Sequence, residues 1–164
     1  FHSFYENESS GGGPIDPDNF RNFGLTYLVH PTNSLKGYRV HLNFYKRHPR
    51  KVKTFILSKQ MFRKISKDFN NYVPTTGYFA LLAALNSPCK ELYIKGFSFF
   101  KTPYSIGYRD NFLNIKVNQH HIKQQGLHNP ELEFQLFRKY LNDNSCKNVV
   151  LDTFLASKIH SLDL

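Results

Sequence analysis

The sequence predicts an α/β fold, a single Rossmann-like domain whose mostly parallel sheet carries helices on both faces. An uninterrupted apolar run at residues 78–85 fits a helix that is covered on all sides. Strand-like and helical segments follow one another along the chain, as they do where helices pack on a parallel sheet. With 164 residues the chain is long enough for one domain with a substantial core.

The first 19 residues are rich in Gly, Ser and Pro and are interpreted as a flexible lead-in, which leaves residues 20–164 for the domain. Asp16-Pro17-Asp18 has the D-x-D spacing of some metal-binding sequences, but no strand precedes it. We therefore interpret it as a solvated turn, and the sequence predicts no metal site.

Strands are predicted at residues 25–29, 38–45 and 52–57, and a helix at residues 60–69. The first strand leads into the polar loop His30-Pro31-Thr32-Asn33, at the carboxyl end where α/β sheets collect ligand groups. The basic turn at residues 46–51 either contacts phosphates or, as charge runs usually do, faces water.

The segment Pro74-Thr75-Thr76-Gly77 precedes the apolar run, and Thr75 or Thr76 is suited to cap that helix. Unpaired N–H groups and the positive end of the helix dipole at such a start can hold an anion. The alternative is an ordinary capped core helix. A strand that ends at Gly96 is predicted next, within the segment 91–97.

The apolar residues at positions 98–121 have no helical or strand-like period, which is typical of a binding loop or lid in a compact domain. Tyr104, Tyr108 and Arg109 lie there, and their hydroxyl and guanidinium groups can stabilise a phosphate. Packing of either tyrosine on the core is the alternative.

His128 stands just before a predicted helix that Asn129 can cap and Pro130 can begin. The helix dipole disfavours an imidazolium there, so a neutral ring that acts as a general base is expected. A surface or capping histidine is the alternative. A strand at residues 147–151 and a helix at residues 153–159 complete the predicted elements.

The net charge of +10 favours anionic partners, which include nucleotides, nucleic acid and an acidic membrane surface. No RNA-binding motif is recognisable, so nucleic acid is not the expected partner. Because no secretory signal or apolar stretch of about 20 residues is found, a cytoplasmic or membrane-peripheral location is expected. Cys89 and Cys146 are expected to be buried thiols rather than a disulfide.

Taken together, these segments resemble the sialyltransferases. The pattern is most similar to bacterial glycosyltransferase family 42, with a T-T-G turn before a helix, an E-I-Y-L-x-G strand, a tyrosine-bearing lid and a G-H segment, here Gly126-Leu127-His128. The animal family 29 enzymes are similar more distantly. Their motif S begins P-[ST]-T-G and ends Y-G-F, and the H-x4-E of their motif VS is met by His128 and Glu133.

This resemblance implies a GT-A-like domain that transfers sialic acid from CMP-sialic acid to a sugar hydroxyl of a glycan acceptor, with inversion and without a metal or other cofactor. It also implies that His128 takes the acceptor proton and that Tyr104 and Tyr108 stabilise the departing CMP phosphate, with Arg109 and Glu133 in support. The implied donor contacts are Thr75, Thr76, Gly77, Gly96, Asn22, His30 and Asn33.

Two features depart from the family pattern. The lid position that carries a tyrosine in the bacterial enzymes is Phe100, and the nucleotide loop of the family is not recognisable near the start of the chain. The alternative function is a non-catalytic basic α/β module that binds nucleotide, RNA or another polyanion.

Overall fold

The computed structural model describes residues 1–6, 15–49, 52–104, 106, 112–143 and 148–160, which form a mixed α/β fold with two parallel strand pairs. The chain divides into two compact units: unit 1 is Phe1–Lys67 with Thr75–Ala80, and unit 2 is Asp68–Pro74 with Leu81–Leu164. The elements, in chain order, are α1 (Pro17–Asn22), β1 (Tyr27–His30), α2 (Leu35–Arg47), β2 (Lys53–Ile56), α3 (Lys59–Ser66), α4 (Thr76–Leu85), β3 (Glu91–Ile94), α5 (Ile115–Gln125), α6 (Pro130–Asp143), β4 (Asn148–Leu151) and α7 (Thr153–His160).

In unit 1, β1 and β2 are parallel, with Tyr27 opposite Lys53, and α2 lies between them in sequence. Crossovers of this kind are how parallel strands are joined. The core of this unit is formed by Phe4, Ile15, Leu28 and Phe44, against which Phe20, Val40 and Val52 pack. Phe4 and Ile15 fall within the segment interpreted from the sequence as a lead-in, and here both side chains are buried.

The strand predicted at residues 38–45 is wrong, because these residues belong to helix α2. Ser34 caps that helix: its hydroxyl oxygen accepts the Gly37 N–H at 3.1 Å. Gly37 and Phe44 are buried and Val40 is half-buried, a spacing of three or four residues that places them on one helical face. The same apolar residues also alternate with polar ones, which is why the sequence resembled a strand.

In unit 2, β3 and β4 are parallel, with Glu91 opposite Asn148. The Asn148 side-chain amide donates a hydrogen bond to the Glu91 carboxylate at 2.8 Å. In the loop that follows β3, the Phe99 ring packs edge-on against Phe134 and at a tilt against Phe137. The distances between ring centroids are 5.4 and 5.5 Å. These three buried rings form an aromatic core within the unit.

The prediction of an irregular segment at residues 98–121 is wrong for residues 115–121, which belong to helix α5. Asn114 caps α5 by accepting the N–H groups of Lys116 and Val117, and the helix ends at Gly126 with φ +58°. Asn118 is buried on this helix. The inward face of α5 is therefore partly polar, and the hydrophobic period of the helix is weak in the sequence.

Helix α4 confirms the prediction from the apolar run, because none of its residues is exposed. Thr75 is the cap: its hydroxyl oxygen accepts the Tyr78 N–H at 3.1 Å.

The other predicted strands and helices are found within a few residues of their expected bounds. Cys89 is exposed, which corrects the prediction of a buried thiol, and Cys146 lies outside the described residues. Within the described part of the chain, every helix is too short or too polar to cross a bilayer. The single Rossmann-like sheet stays a prediction.

Candidate active site

A cavity of about 400 Å³ opens beside His128, and all of its lining residues belong to unit 2. Its size is within the range of small-molecule sites. The wall combines aromatic rings with a few polar groups. The lining residues are Tyr72, Phe99, Phe100, Lys101, Gln119, Ile122, Lys123, Gly126, His128, Asn129, Pro130 and Glu131.

The His128 ring is oriented by one short hydrogen bond. Its Nδ1 lies 2.6 Å from the Val73 carbonyl oxygen. Because a carbonyl oxygen only accepts, Nδ1 carries the hydrogen, and in the neutral ring the lone pair is on Nε2. Among the described residues Nε2 makes no hydrogen bond. The ring therefore presents an unprotonated nitrogen, the form that a general base requires.

The charge state of the His128 ring follows from its surroundings. Burial lowers the pKa of His128, and the Val73 carbonyl opposes this in part by stabilising the protonated ring. A lowered pKa keeps the imidazole neutral at pH 7, in agreement with the prediction from the sequence, although burial rather than the helix dipole is the leading cause.

The backbone around His128 is fixed on both sides. Val73 N–H donates to the Leu127 carbonyl oxygen at 2.9 Å, so the two segments are joined by this bond as well as by the ring. On the other side the Asn129 side chain accepts the Leu132 N–H at 3.1 Å, and Pro130 begins α6. This confirms the predicted cap and holds the imidazole at the cavity wall.

A strained turn forms another part of the wall. Lys101 N–H donates to the Ser98 carbonyl at 2.9 Å, and the two central residues, Phe99 and Phe100, have φ of +48° and +58°. This is the pattern of a type I′ turn, which favours Gly, Asn and Asp because other side chains clash with the backbone there. The Gln119 side-chain amide donates to the Phe100 carbonyl at 3.4 Å.

Lys101 is held at the rim of the cavity by two contacts. Its Nζ lies 3.4 Å from the Glu131 carboxylate and 4.0 Å from the centre of the Phe134 ring. The ion pair is partly exposed to solvent, so it contributes little to stability, and the ammonium group also lies over an aromatic ring.

The predicted donor residues of unit 1 occupy different environments. Asn22 is exposed at the end of α1. His30 is buried with its ring stacked on Phe4, 5.2 Å between centroids. The Asn33 amide donates to the Leu57 carbonyl at 2.7 Å. Thr76 and Gly77 are half-buried in the first turn of α4, behind the Thr75 cap.

Gly96, also a predicted donor residue, lies just after β3 with φ +80°. Its N–H donates to Asp152 Oδ2 at 2.8 Å, while Asp152 Oδ1 accepts the Leu155 N–H in the first turn of α7. These two N–H donors, Gly96 first, lower the pKa of Asp152. Gly96 thus ties the end of β3 to the start of α7.

The remaining predicted residues are only partly described. The Tyr104 ring stands edge-on to Phe100, with 6.0 Å between centroids. Glu133 is buried in α6, 2% exposed. Tyr108 and Arg109 lie outside the described residues.

Several cavity residues were missed from the sequence. Gln119 and Lys123 share one face of α5, four residues apart, and their placement depends on a helix that the sequence did not suggest. The sequence features that could have predicted this helix are a capping residue, Asn114, and a terminating residue, Gly126. They stand on either side of its eleven residues.

The D-x-D sequence has a structural role in this fold. Asp16 Oδ1 accepts the N–H groups of Asp18 and Asn19 and so caps α1. Over the described ranges no three His, Cys, Asp or Glu side chains come together in a metal-binding arrangement.

Comparison with protein families defines the class of protein as a glycosyltransferase. The model of glycosyltransferase family 29 (sialyltransferase) matches residues 25–145, which is more than half of the chain. The chain therefore belongs to glycosyltransferase family 29. The family 29 part of the resemblance is confirmed, and the closer likeness to family 42 is not. No curated protein and no solved structure matches the chain.

Proposed function

We propose that this protein is an inverting sialyltransferase that transfers sialic acid from CMP-sialic acid to a sugar hydroxyl, with His128 as the general base. Family membership supports the reaction class. The observation that carries the proposal is the Nδ1–H bond from His128 to Val73, which leaves Nε2 as the basic nitrogen of a ring that lines the cavity.

In the proposed step, the acceptor hydroxyl gives its proton to His128 Nε2 as its oxygen attacks the anomeric carbon of the sialic acid. The bond from that carbon to the CMP phosphate oxygen breaks, and its electron pair stays on the phosphate. Attack from the face opposite the leaving group inverts the anomeric centre. The imidazolium then returns its proton to solvent.

The donor end of the proposal uses the first turn of α4. Its N–H groups behind the Thr75 cap would hold the carboxylate of the sialic acid, since a helix start favours an anion. Tyr104 and Tyr108 would donate to the phosphate as charge develops there, which lowers the barrier. The other predicted donor contacts are Asn22, His30, Asn33 and Gly96. The proposal also includes a single Rossmann-like sheet and a reaction that requires no metal.

The experiment compares transfer of labelled sialic acid by the unaltered protein, His128→Asn and His120→Asn. An asparagine amide can still donate to Val73 but cannot take a proton, so kcat should fall by about 10²–10⁴-fold in His128→Asn. His120 is exposed on α5 outside the cavity, and its variant should keep full activity.

Thermal shifts with CMP and with the other nucleoside monophosphates show whether each variant is folded and binds the nucleotide. Both variants should respond to CMP, and transfer should be unchanged by EDTA. Unaltered transfer in His128→Asn would rule out the proposed base. Absence of any CMP response, together with salt-sensitive binding of RNA, would favour the polyanion-binding alternative.

A further inference from the structure

We propose that the outward face of helix α2 binds an acidic membrane surface. A stripe of apolar side chains on that face enters the lipid, and the basic side chains beside it meet the anionic headgroups. The stripe is formed by Leu35, Tyr38, Leu42 and Tyr45, all of which are exposed. Such a surface would hold the protein at a membrane whatever reaction takes place in the cavity beside His128.

Helix α2 presents one face to the core of unit 1 and the other to solvent. Gly37 and Phe44 are buried, and Phe44 belongs to the core cluster of that unit. On the outward side, the four stripe residues are between 43% and 83% exposed. Their spacing of three, four and three residues places them along one line on the helix, about 15 Å long by the rise of an α-helix.

The alignment of the stripe distinguishes it from ordinary surface residues. Single apolar side chains are common on protein surfaces, whereas a contiguous set indicates an interaction site. A helix with apolar side chains on its outward stripe as well as on its inward face is typical of one that is covered on two sides. The core of unit 1 covers the inward face and leaves the stripe exposed to a partner.

Basic side chains run alongside the stripe. Arg39 and Lys46 each stand four residues after a stripe leucine, which places each of them next to its leucine on the helix surface. Both are exposed, and neither forms an ion pair with the described residues. Arg47, in contrast, is paired with Glu6 at 2.5 Å. The two cations beside the stripe are therefore available to an anion.

The charge of the surrounding sequence has the same sign. Residues 19–67, which include α2, contain twelve Lys and Arg residues and no Asp or Glu, whereas the whole chain has 22 and 12. The net charge of +10 is therefore concentrated in the stretch that carries the stripe. The anionic surface of a bilayer attracts such a stretch, and the hydrocarbon of the bilayer takes up the apolar side chains.

This combination favours a lipid surface over RNA and over a second copy of the chain. RNA supplies phosphates for the cations but no apolar phase for Leu35 and Leu42. A second α2 would cover the leucines, but it would bring Arg39 and Lys46 of both helices together, and α2 contains no acidic residue to pair with them. At a membrane, tyrosine rings lie at the level of the headgroups, and Lys and Arg side chains extend to the phosphates.

Sedimentation with vesicles tests this surface. Vesicles of phosphatidylcholine alone are compared with vesicles of equal amounts of phosphatidylcholine and phosphatidylglycerol, and the unaltered protein should bind only the acidic ones. Leu35→Gln with Leu42→Gln removes apolar side chains from the stripe and should weaken binding about tenfold or more. Arg39→Gln with Lys46→Gln should weaken binding about 30-fold, because each cation near an anionic bilayer contributes a factor of about five.

Lys59→Gln with Arg63→Gln is the matched control for charge. Both residues are exposed on α3, in the same basic part of the chain, so this variant loses two charges away from the stripe. It should weaken binding less than about threefold, since the attraction by a charged surface falls off within a Debye length. All of the substituted side chains are exposed, so circular dichroism should show unaltered folding in every variant.

A tryptophan probe distinguishes insertion into lipid from contact with its surface. The chain has no tryptophan, so Leu35→Trp supplies a single emitter on the stripe, and Tyr93→Trp supplies one at an exposed position on β3. With acidic vesicles, the Leu35→Trp emission should shift to shorter wavelength and be quenched by lipids that are brominated in their acyl chains. The Tyr93→Trp emission should not change.

Equal binding to neutral and acidic vesicles, or binding to neither, would overturn the proposal. A loss in Lys59→Gln with Arg63→Gln as large as in the stripe variants would also do so, because charge alone would then account for binding. Binding that the leucine variant retains and that RNA displaces would assign the basic stretch to nucleic acid instead. Absence of vesicle binding, together with a dimer that the leucine variant loses, would assign the stripe to a second copy of the chain.

Discussion

Two histidines show how the same side chain takes different roles in different surroundings. His128 has one hydrogen-bonded ring nitrogen, and the residue lines a cavity. His30 is 1% exposed, and neither of its ring nitrogens makes a hydrogen bond to the described residues. Burial lowers the pKa of His30 to about 4, and the charges of His41 and His2 add to this lowering. His128 is suited to proton transfer, and His30 to remaining neutral.

The free energy of unfolding should therefore depend on His30 between about pH 6.5 and pH 4. In that window the unfolded chain binds a proton that the folded protein does not, so stability falls as the pH falls, by about 3 kcal/mol in total. Urea unfolding at stepped pH measures this.

The pH dependence of the free energy of unfolding is compared between two variants, His30→Gln and His120→Gln. Burial also lowers the pKa values of His41 and His128, and both histidines are present in both variants. The difference in the pH dependence of the free energy of unfolding between the variants is therefore due to the change at His30. The slope should be reduced only in His30→Gln, and an identical slope in both variants would show that the buried ring does not govern acid stability.

Helix α2 illustrates what decides the type of an element. The apolar residues at 38–45 fit a strand and a helix equally, and the Ser34 cap favours the helix. The first turn of α2 lies so close to the preceding loop that a Cβ on Gly37 would overlap the Thr32 carbonyl oxygen and lie 3.1 Å from His30 Nε2. Only glycine fits this approach without a shift in the backbone.

Gly37→Ala should destabilise unit 1 by at least about 2 kcal/mol, because the added methyl group meets backbone rather than a flexible side chain. Gly24→Ala is the matched variant, since Gly24 has φ +71° and open space around it and carries only the conformational cost of about 1 kcal/mol. Thermal unfolding distinguishes them. If Gly37→Ala proves no worse than Gly24→Ala, the close contact does not constrain α2.

Across the chain as a whole, features that depend on neighbouring residues could be predicted from the sequence, and contacts between distant residues could not. The Thr75 cap of α4 and the Asn129 cap of α6 depend on neighbours in sequence, and both were predicted. The partner of His128 is Val73, 55 residues away, and no local pattern names it. The Phe100 turn was also missed, since its positive φ values contradict the preference of phenylalanine. The family pattern supplied the reaction class because it joins motifs that local reasoning treats separately.

Whether His128 accepts the proton can be measured from the pH dependence of kcat/KM for sialyl transfer. If neutral His128 is the base, kcat/KM should rise with pH through a single pKa below the ordinary histidine value of 6.5 and be constant at neutral pH, since burial lowers the pKa of His128. The residual activity of His128→Asn should lack this rise. A rise that persists unchanged in His128→Asn would contradict the account, because another group would then be accepting the proton.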